Sequence, residues 1–328
     1  MAMLKIALLG AGRIGKIHAA NAVAHPDLTL SHVVDPVEAA AEALARETGA
    51  AVAALEAVLA DESVAAVIVA STTDTHLDYC LAAHAAGKAI FCEKPLDMDL
   101  ARASAAAGPL AGARLLLGFN RRFDPNFQAL KARLDAGAVG GIETLQITSN
   151  DPAPPPVAYV KVSGGLFKDM AIHDFDMARW LLDEEACEVF AWGSSLVDPA
   201  IGAAGDIDTA RTLLRTASGK LCVIANSRRS GFGYDQRIEA YGSAGMVRAD
   251  NVLESSVQLW TETGAQADRF QNFFLERYAA AYRAEMAHFA DILAGRAQSS
   301  IGYADGLAAL ALAEAAGESL RSGKPVKL

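Results

Sequence analysis

The sequence predicts an α/β protein in two parts: a doubly wound parallel sheet over residues 1–120, then an α/β region on a mixed or antiparallel sheet over residues 121–328. Three observations predict it. A short apolar run leads directly into a glycine-rich turn and a helix. Strand and helix signals then alternate as far as Phe119. After Arg121-Arg122-Phe123 the pattern changes to alternating strands joined by tight turns.

Lys5-Ile6-Ala7-Leu8-Leu9 is an apolar run of the kind buried in a parallel sheet. Gly10-Ala11-Gly12-Arg13-Ile14-Gly15 follows at once, and Lys16 to Ala24 continues with helix-forming residues. In this G-x-G-x-x-G the first glycine permits a tight turn and the second lets backbone N–H groups approach a pyrophosphate. The third allows close packing of helix on strand. The anion would sit at the helix N-terminus, where unpaired N–H groups and the helix dipole favour negative charge. A second strand, Leu28 to Val34, ends in Asp35, twenty positions after Gly15. A carboxylate there can bond the adenosine ribose hydroxyls and would repel a 2′-phosphate, which favours NAD over NADP. It can equally, with Pro36, start a turn and cap the next helix.

Helices at Val37–Arg46 and Leu55–Leu59 lead to a third strand, Ala65–Ala70, and then to Ser71-Thr72-Thr73-Asp74-Thr75-His76. Ligands of open parallel sheets bind at the carboxyl ends of strands, so this polar turn should face the cofactor. Alternatively, Asp74 or Thr75 caps a helix over Leu77–Ala86. Gly87 stops that helix, and Lys88–Cys92 forms a fourth strand ending in Glu93-Lys94-Pro95. A helix at Asp99–Gly108 and a strand at Leu115–Phe119 complete the first part. In the second part a helix spans Pro125–Leu134. Strands follow at Glu143–Ser149, Ala210–Thr216, Leu221–Ser227, Arg237–Tyr241 and Met246–Ala249, with a hairpin turn at Thr216–Lys220. Helices at Ala280–Ala294 and Tyr303–Ser322 close the chain.

Composition excludes several classes. The 29 basic and 39 acidic residues give a formal charge of −10, which argues against a nucleic-acid partner. Cys80, Cys92, Cys187 and Cys222 are scattered, with no C-x-x-C pair, as expected of reduced thiols in a cytoplasmic protein. No apolar run reaches the roughly 18 residues that span a bilayer, and the N-terminal run is too short for a signal peptide.

Two stretches carry chemistry. In Glu93-Lys94-Pro95, at the cofactor edge of the sheet, Lys94 can donate a hydrogen bond to cofactor and substrate, and an X-Pro bond there can be cis. In Gly164–Leu182, the residues Ile172, Phe175, Met177, Trp180 and Leu181 give a buried helical face. Asp169 and His173 fall at i and i+4 on one side, where a carboxylate can orient an imidazole for acid–base work. A surface contact or half a metal site would use the same pair. No second histidine stands at ligand spacing, so no metal is expected.

Together with the glycine motif, Glu93-Lys94-Pro95, Gly118-Phe119-Asn120-Arg121-Arg122-Phe123 and Gly164–Leu182 resemble the Gfo/Idh/MocA oxidoreductase family, and most closely its inositol dehydrogenase branch. The resemblance covers essentially the whole chain. It implies an N-terminal Rossmann domain, a C-terminal α/β domain with an open, mainly antiparallel sheet, and a homotetramer packed through sheet faces. It implies an NAD-dependent dehydrogenase of a cyclic polyol, myo-inositol first. Another inositol isomer, a sugar such as glucose or galactose, the reverse reduction, and a non-catalytic dinucleotide-binding regulator stand as alternatives. Lys94, Asp169 and His173 correspond to the catalytic positions. Gly10, Gly12, Arg13, Ile14, Gly15, Asp35, Ser71, Thr72, Thr73, His76, Glu93 and Lys94 are the expected cofactor residues. Asn120, Arg121, Asn150, Asp169, His173, Tyr234 and Tyr282 are those expected at the substrate. At Asn150 the chain departs from the branch, where an arginine is frequent.

Overall fold

The computed structural model describes residues 3–328. They form two compact units: one of the described residues up to Phe123 with Ala281–Leu310, the other of Asp124–Ala280 with Ala311–Leu328.

The first unit holds a parallel sheet of β1 (Leu4–Leu9), β2 (Leu28–Val34), β3 (Ala51–Val52), β4 (Val64–Val69), β5 (Ala89–Glu93) and β6 (Leu115–Gly118). Their spatial order is β3-β2-β1-β4-β5-β6, so the winding reverses at β1, between β2 and β4. Ile6–Leu9, Ala66–Val69 and Ala89–Cys92 are fully buried, which is why these strands read as unbroken apolar runs. The connecting helices are α1 (Arg13–Ala24), α2 (Glu38–Thr48), α3 (Leu55–Ala60), α4 (Thr73–Ala85) and α5 (Leu100–Ala105). Two of them begin earlier than the apolar pattern suggests. Helix α1 starts inside the glycine motif, its first turn closed by Lys16 N donating to Gly12 O at 3.0 Å. Helix α4 starts at Thr73, not Leu77, because Thr75 returns both its N–H (2.9 Å) and its hydroxyl (2.8 Å) to the Thr72 carbonyl. The cap position is therefore Thr72 rather than Asp74 or Thr75. Late in the chain, helices Ala279–Leu293 and Tyr303–Ser322 add to this unit as far as Leu310. Leu117 N bonds Ile301 O at 3.0 Å. Gly306 sits so close that a Cβ there would lie 2.5 Å from Leu96 and 2.6 Å from Leu117.

The second unit contains α6 (Pro125–Asp135), β7 (Ile142–Asn150), α7 (Val157–Val160), α8 (Ile172–Leu182), β8 (Ala186–Ser194) and α9 (Pro199–Ala203). These are followed by β9 (Thr209–Thr216), β10 (Leu221–Ser227), β11 (Asp235–Gly242), β12 (Gly245–Ala249), β13 (Gln258–Thr261), β14 (Gly264–Ala267) and α10 (Phe274–Arg277). The late helices are α11 and α12, and β15 (Val326–Lys327) closes the chain. The main sheet runs β12-β11-β7-β10-β9-β8-β15, every neighbouring pair antiparallel except β7 and β10. This is the open, mainly antiparallel sheet expected. Alternation sorts its faces: Leu145, Ile147, Leu214, Cys222, Ile224, Ile238 and Ala240 are buried, and α8 packs against β7 on the covered side. The uncovered side has registered rows. One crosses the sheet as Phe190, Leu213, Val223, Gln146 and Glu239, the next as Glu188, Arg215, Leu221, Thr144, Tyr241 and Met246.

Asp124 ties the start of this unit together. Its carboxylate caps α6, accepting from Asn126 N (3.0 Å) and Phe127 N (3.2 Å), and is gripped by both terminal nitrogens of Arg277, one at 3.1 Å. Arg277 is 5% exposed and also lies over the Phe127 and Tyr278 rings. Asp124→Ala leaves a buried guanidinium without its counter-charge and α6 without its cap, which should cost about 3–5 kcal/mol. Urea unfolding of the two proteins measures the difference.

Candidate active site

The glycine turn joins β1 to α1 where β1 and β4 end side by side. Gly10 N donates to Val34 O at 2.8 Å, and Ala70 N to Leu9 O at 2.8 Å. Gly10 has φ +106°, and a Cβ there would lie 2.5 Å from Ala70 O. A Cβ at Gly15 would lie 2.0 Å from Gly10 O. Both glycines are thus forced by close backbone approach. Gly12 differs: it is the N-cap of α1, is exposed, and a Cβ there would meet nothing within 4 Å. The helix N-terminus therefore opens onto free space of the kind a pyrophosphate fills. Arg13 is exposed and Ile14 half-buried beside it.

Asp35 starts a turn as expected, but it does not cap α2, whose N-cap is Val37 with no side-chain cap bond. One oxygen accepts from Ala11 N at 2.7 Å, holding the glycine turn, and the other accepts from Val37 N at 2.8 Å in its own turn. Across the reversal point, Ser71 Oγ and Thr75 Oγ1 lie 2.7 Å apart, with Thr72 exposed and Thr73 half-buried. His76 is buried, with Nδ1 2.8 Å from Pro95 O and Nε2 3.2 Å from Ser71 O. It braces the Ser71 turn against the Lys94–Pro95 turn, whose peptide is cis. Lys94 is half-buried at the end of β5. Glu93 is buried, its Oε1 2.6 Å from His18 Nε2. Asn120 and Arg121 are buried in a 3₁₀ turn beyond β6, and Tyr282 is buried on α11.

In the second unit, Asp169 lies in a π turn, Phe167–Ala171, that runs into α8. The i, i+4 spacing of Asp169 and His173 predicts a regular helical turn here. The widened turn follows Gly164 and Gly165, both at positive φ, and Leu166 N donates to Asp206 Oδ1 at 3.2 Å. Single wide turns of this kind are frequent at functional sites. Asp169 accepts from the Tyr159 hydroxyl (2.9 Å) and from Arg228 (3.1 Å), whose guanidinium is 2% exposed and also lies 3.7 Å from Asp151. His173 is half-buried in the first turn of α8. Trp180, expected on a buried face, is only half-buried, whereas Asp174 and Asp176 are fully buried. The helix is enclosed on more sides than an amphipathic reading allows, and Asn226 satisfies Asp174 at 2.8 Å. Asn150 donates to Asp235 at 3.1 Å. Burial alone would raise the Asp235 carboxyl, but bonds from Arg237, Asn251 and Asn150 hold it below the ordinary value. Tyr234 is buried edge-on against Tyr278, with centroids 5.9 Å apart.

Tyr159, Asp206 and Arg228 escaped the sequence reading. They stand 10, 37 and 59 residues from Asp169 or 40 from Leu166, and no short motif reports such partners. Among the described residues, no group of three or more His, Cys, Asp or Glu side chains could hold a metal ion, and no helix is long and apolar enough to cross a membrane.

A six-stranded parallel sheet with a glycine turn at its reversal point and an acid at the end of β2 defines a dinucleotide-binding protein of the doubly wound class. Residues 4–116 match the oxidoreductase family with an NAD-binding Rossmann fold, and residues 127–248 match the GFO/IDH/MocA C-terminal domain. An inositol 2-dehydrogenase of Rhizobium meliloti is 46% identical over 327 residues, covering 99% of each chain. The crystal structure of a myo-inositol dehydrogenase from Corynebacterium glutamicum superposes with a TM-score of 0.95 at 43% identity, covering 99% of each chain. That of a scyllo-inositol dehydrogenase from Lactobacillus casei, with bound NAD(H) and scyllo-inositol, gives a TM-score of 0.92 at 29% identity, covering 99% of each chain. The chain belongs to the Gfo/Idh/MocA oxidoreductase family. It is an NAD-dependent dehydrogenase.

Asp35→Ser removes a charged acceptor, so NAD should bind about tenfold or more weakly while NADP is better tolerated. Fluorescence titration with both cofactors checks this; an unchanged preference would remove Asp35 from the adenosine site.

Proposed function

We propose that this chain oxidises one secondary hydroxyl of a cyclic polyol to a ketone, with myo-inositol to its 2-keto inosose as the leading case. The observation that carries the reading is the seating of Asp169. Tyr159 and a buried Arg228 fix its carboxylate one turn before His173, an arrangement suited to a positioned acid–base pair. Full-length likeness to proteins named inositol dehydrogenases supplies the substrate class.

In this reading His173 takes the hydroxyl proton and Asp169 supports the imidazolium. Lys94 donates to the reacting oxygen and to a cofactor hydroxyl. Asn120, Arg121, Asn150, Tyr234 and Tyr282 contact the polyol. Gly10, Gly12, Arg13, Ile14, Gly15, Asp35, Ser71, Thr72, Thr73, His76 and Glu93 line or brace the cofactor cradle, and NAD when bound supplies the hydride acceptor. The protein's part is orientation and electrostatics. The scyllo-inositol neighbour and Asn150 in place of arginine support a second reading, in which another inositol isomer is the physiological substrate.

We also propose a homotetramer, on the strength of the open sheet face. Trp192, Leu213, Leu221, Tyr241 and Met246 are exposed there by 42–65% of their surface, and several large apolar side chains on one uncovered face favour an interaction surface. A cytoplasmic location and a role in polyol breakdown accord with four free cysteines and the oxidative direction.

His173→Ala should lower kcat by roughly 10²–10⁴-fold with little change in NAD affinity. NADH absorbance with a panel of inositol isomers and sugars measures it; wild-type turnover by the variant would overturn the assignment. Leu213→Glu with Val223→Glu should convert the tetramer to smaller species in sedimentation velocity.

A further inference from the structure

The first unit contains a buried cluster around Glu93, of which His18 and Glu285 have no part in the proposed chemistry. His18 of α1 is fully buried and its Nε2 lies 2.6 Å from Glu93 Oε1, with side-chain exposures of 0% and 11%. Glu93 is clamped from the other side by β6: a Cβ on Gly118 would lie 3.1 Å from its carboxyl carbon. Helix α11 closes the cluster. Tyr282 packs edge-on against His18 (5.9 Å) and Phe289 against Phe91 (5.6 Å), while Phe91 itself packs against His18 (4.6 Å). Glu285 lies between Tyr282 and Phe289 on that helical face. It is fully buried, and neither of its oxygens has a hydrogen-bond partner among the described residues.

We propose that His18, Glu93 and Glu285 form a buried proton-holding cluster that positions the Glu93–Lys94 turn, with Glu285 as its neutral, proton-carrying member. The role assigned to Lys94 rests on the proposed function above; the protonation of Glu285 does not. An ionised, unpartnered carboxylate in such a place would be very costly, whereas the neutral acid is tolerated. Burial first, and then the charge of Glu93, pushes the Glu285 carboxyl well above its ordinary value. The charge that acts on Glu285 is that of Glu93 from β5, itself 2.6 Å from His18 of α1; on its own helix Tyr282 stands one turn before it. His288, a turn further on, packs against Phe123 instead. A neutral Glu285 leaves the His18–Glu93 pair without a competing charge. Since Glu93 is joined by one peptide to Lys94, its anchoring limits where the lysine can point.

The native carboxyl holds its proton at pH values where the unfolded one has lost it, so unfolding releases a proton above the ordinary glutamate value. The stability present below that value is lost as pH rises toward the raised native one. The test is urea unfolding of the full chain and of Glu285→Gln across about pH 5 to 9. The ratio of folding constants, wild type to variant, should fall by about tenfold per pH unit until native Glu285 itself ionises. A flat ratio means an ionised native Glu285 and overturns the proposal. If Glu285→Gln does not fold, the infrared carbonyl band of a neutral carboxylic acid in the wild type, present or absent near neutral pH, decides the same point. No activity is needed for either measurement, so this outcome is separable from failure of the polyol reading. Positioning is tested with folded His18 variants. His18→Leu should lower kcat by about ten- to a hundredfold with KM for NAD changed far less, and His18→Gln, which restores a donor toward Glu93, should recover most of the loss. Equal kcat in wild type and His18→Leu would overturn the positioning role.

Discussion

The close approach of Gly10 to the Ala70 carbonyl is the constraint on which the first unit depends. It exists because β1 and β4 are neighbours while the chain leaves β1 for β2, so two strand ends must pass within backbone contact where the winding reverses. Only a residue without Cβ and free to adopt φ +106° can stand there. Once that contact is made, the next N–H, from Ala11, points to Asp35 and the helix N-terminus opens at Gly12. His76 then carries the same geometry outward, from the Ser71 turn to the carbonyl of Pro95. The cofactor turn and the lysine turn are thus linked through one buried imidazole.

The second unit is organised differently, by buried carboxylates that collect backbone N–H groups. Asp208 accepts from Leu196 N, Val197 N and Asp198 N at 2.8–2.9 Å, and from the Thr209 hydroxyl. Burial by itself would raise its carboxyl; these bonds hold it below the ordinary value. Arg228 N in turn bonds the Asp208 carbonyl at 2.8 Å, which fixes the arginine that grips Asp169. Asp206, two residues earlier, meets Leu166 N at the entrance to the π turn. One short loop therefore sets both the charge partner of Asp169 and the start of the segment that carries it.

These relationships explain what the sequence could and could not reveal. The parallel sheet was legible because strands buried on both faces need apolar residues at every position, as in Ala66–Val69. Strand β8 was not. It follows α8 with no glycine between them, the helix being ended by Asp183 in the left-handed region at φ +51°, where an acid supplies no stop signal. The hairpin β13–β14 was missed because all its residues are exposed and carry no apolar alternation. Asp169 and His173 were found because they are four residues apart. Tyr159, Asp206 and Arg228 were not, because what unites them with that pair is the folded sheet rather than spacing.

Asn150 belongs to the same kind of network. Asn150 is paired in register with Asp235 on β11, and its amide donates to that carboxylate. The positive charge beside Asp235 comes from Arg237, at 2.7 and 3.0 Å, with Asn251 as a further donor. An arginine at position 150 would bring a second cation to a carboxylate already paired. Asparagine instead gives a neutral donor, and its side-chain oxygen supplies an acceptor that arginine lacks. On the proposal that the polyol reaches Asn150, a ring hydroxyl would donate to its side-chain oxygen, where an arginine could only donate to the hydroxyl.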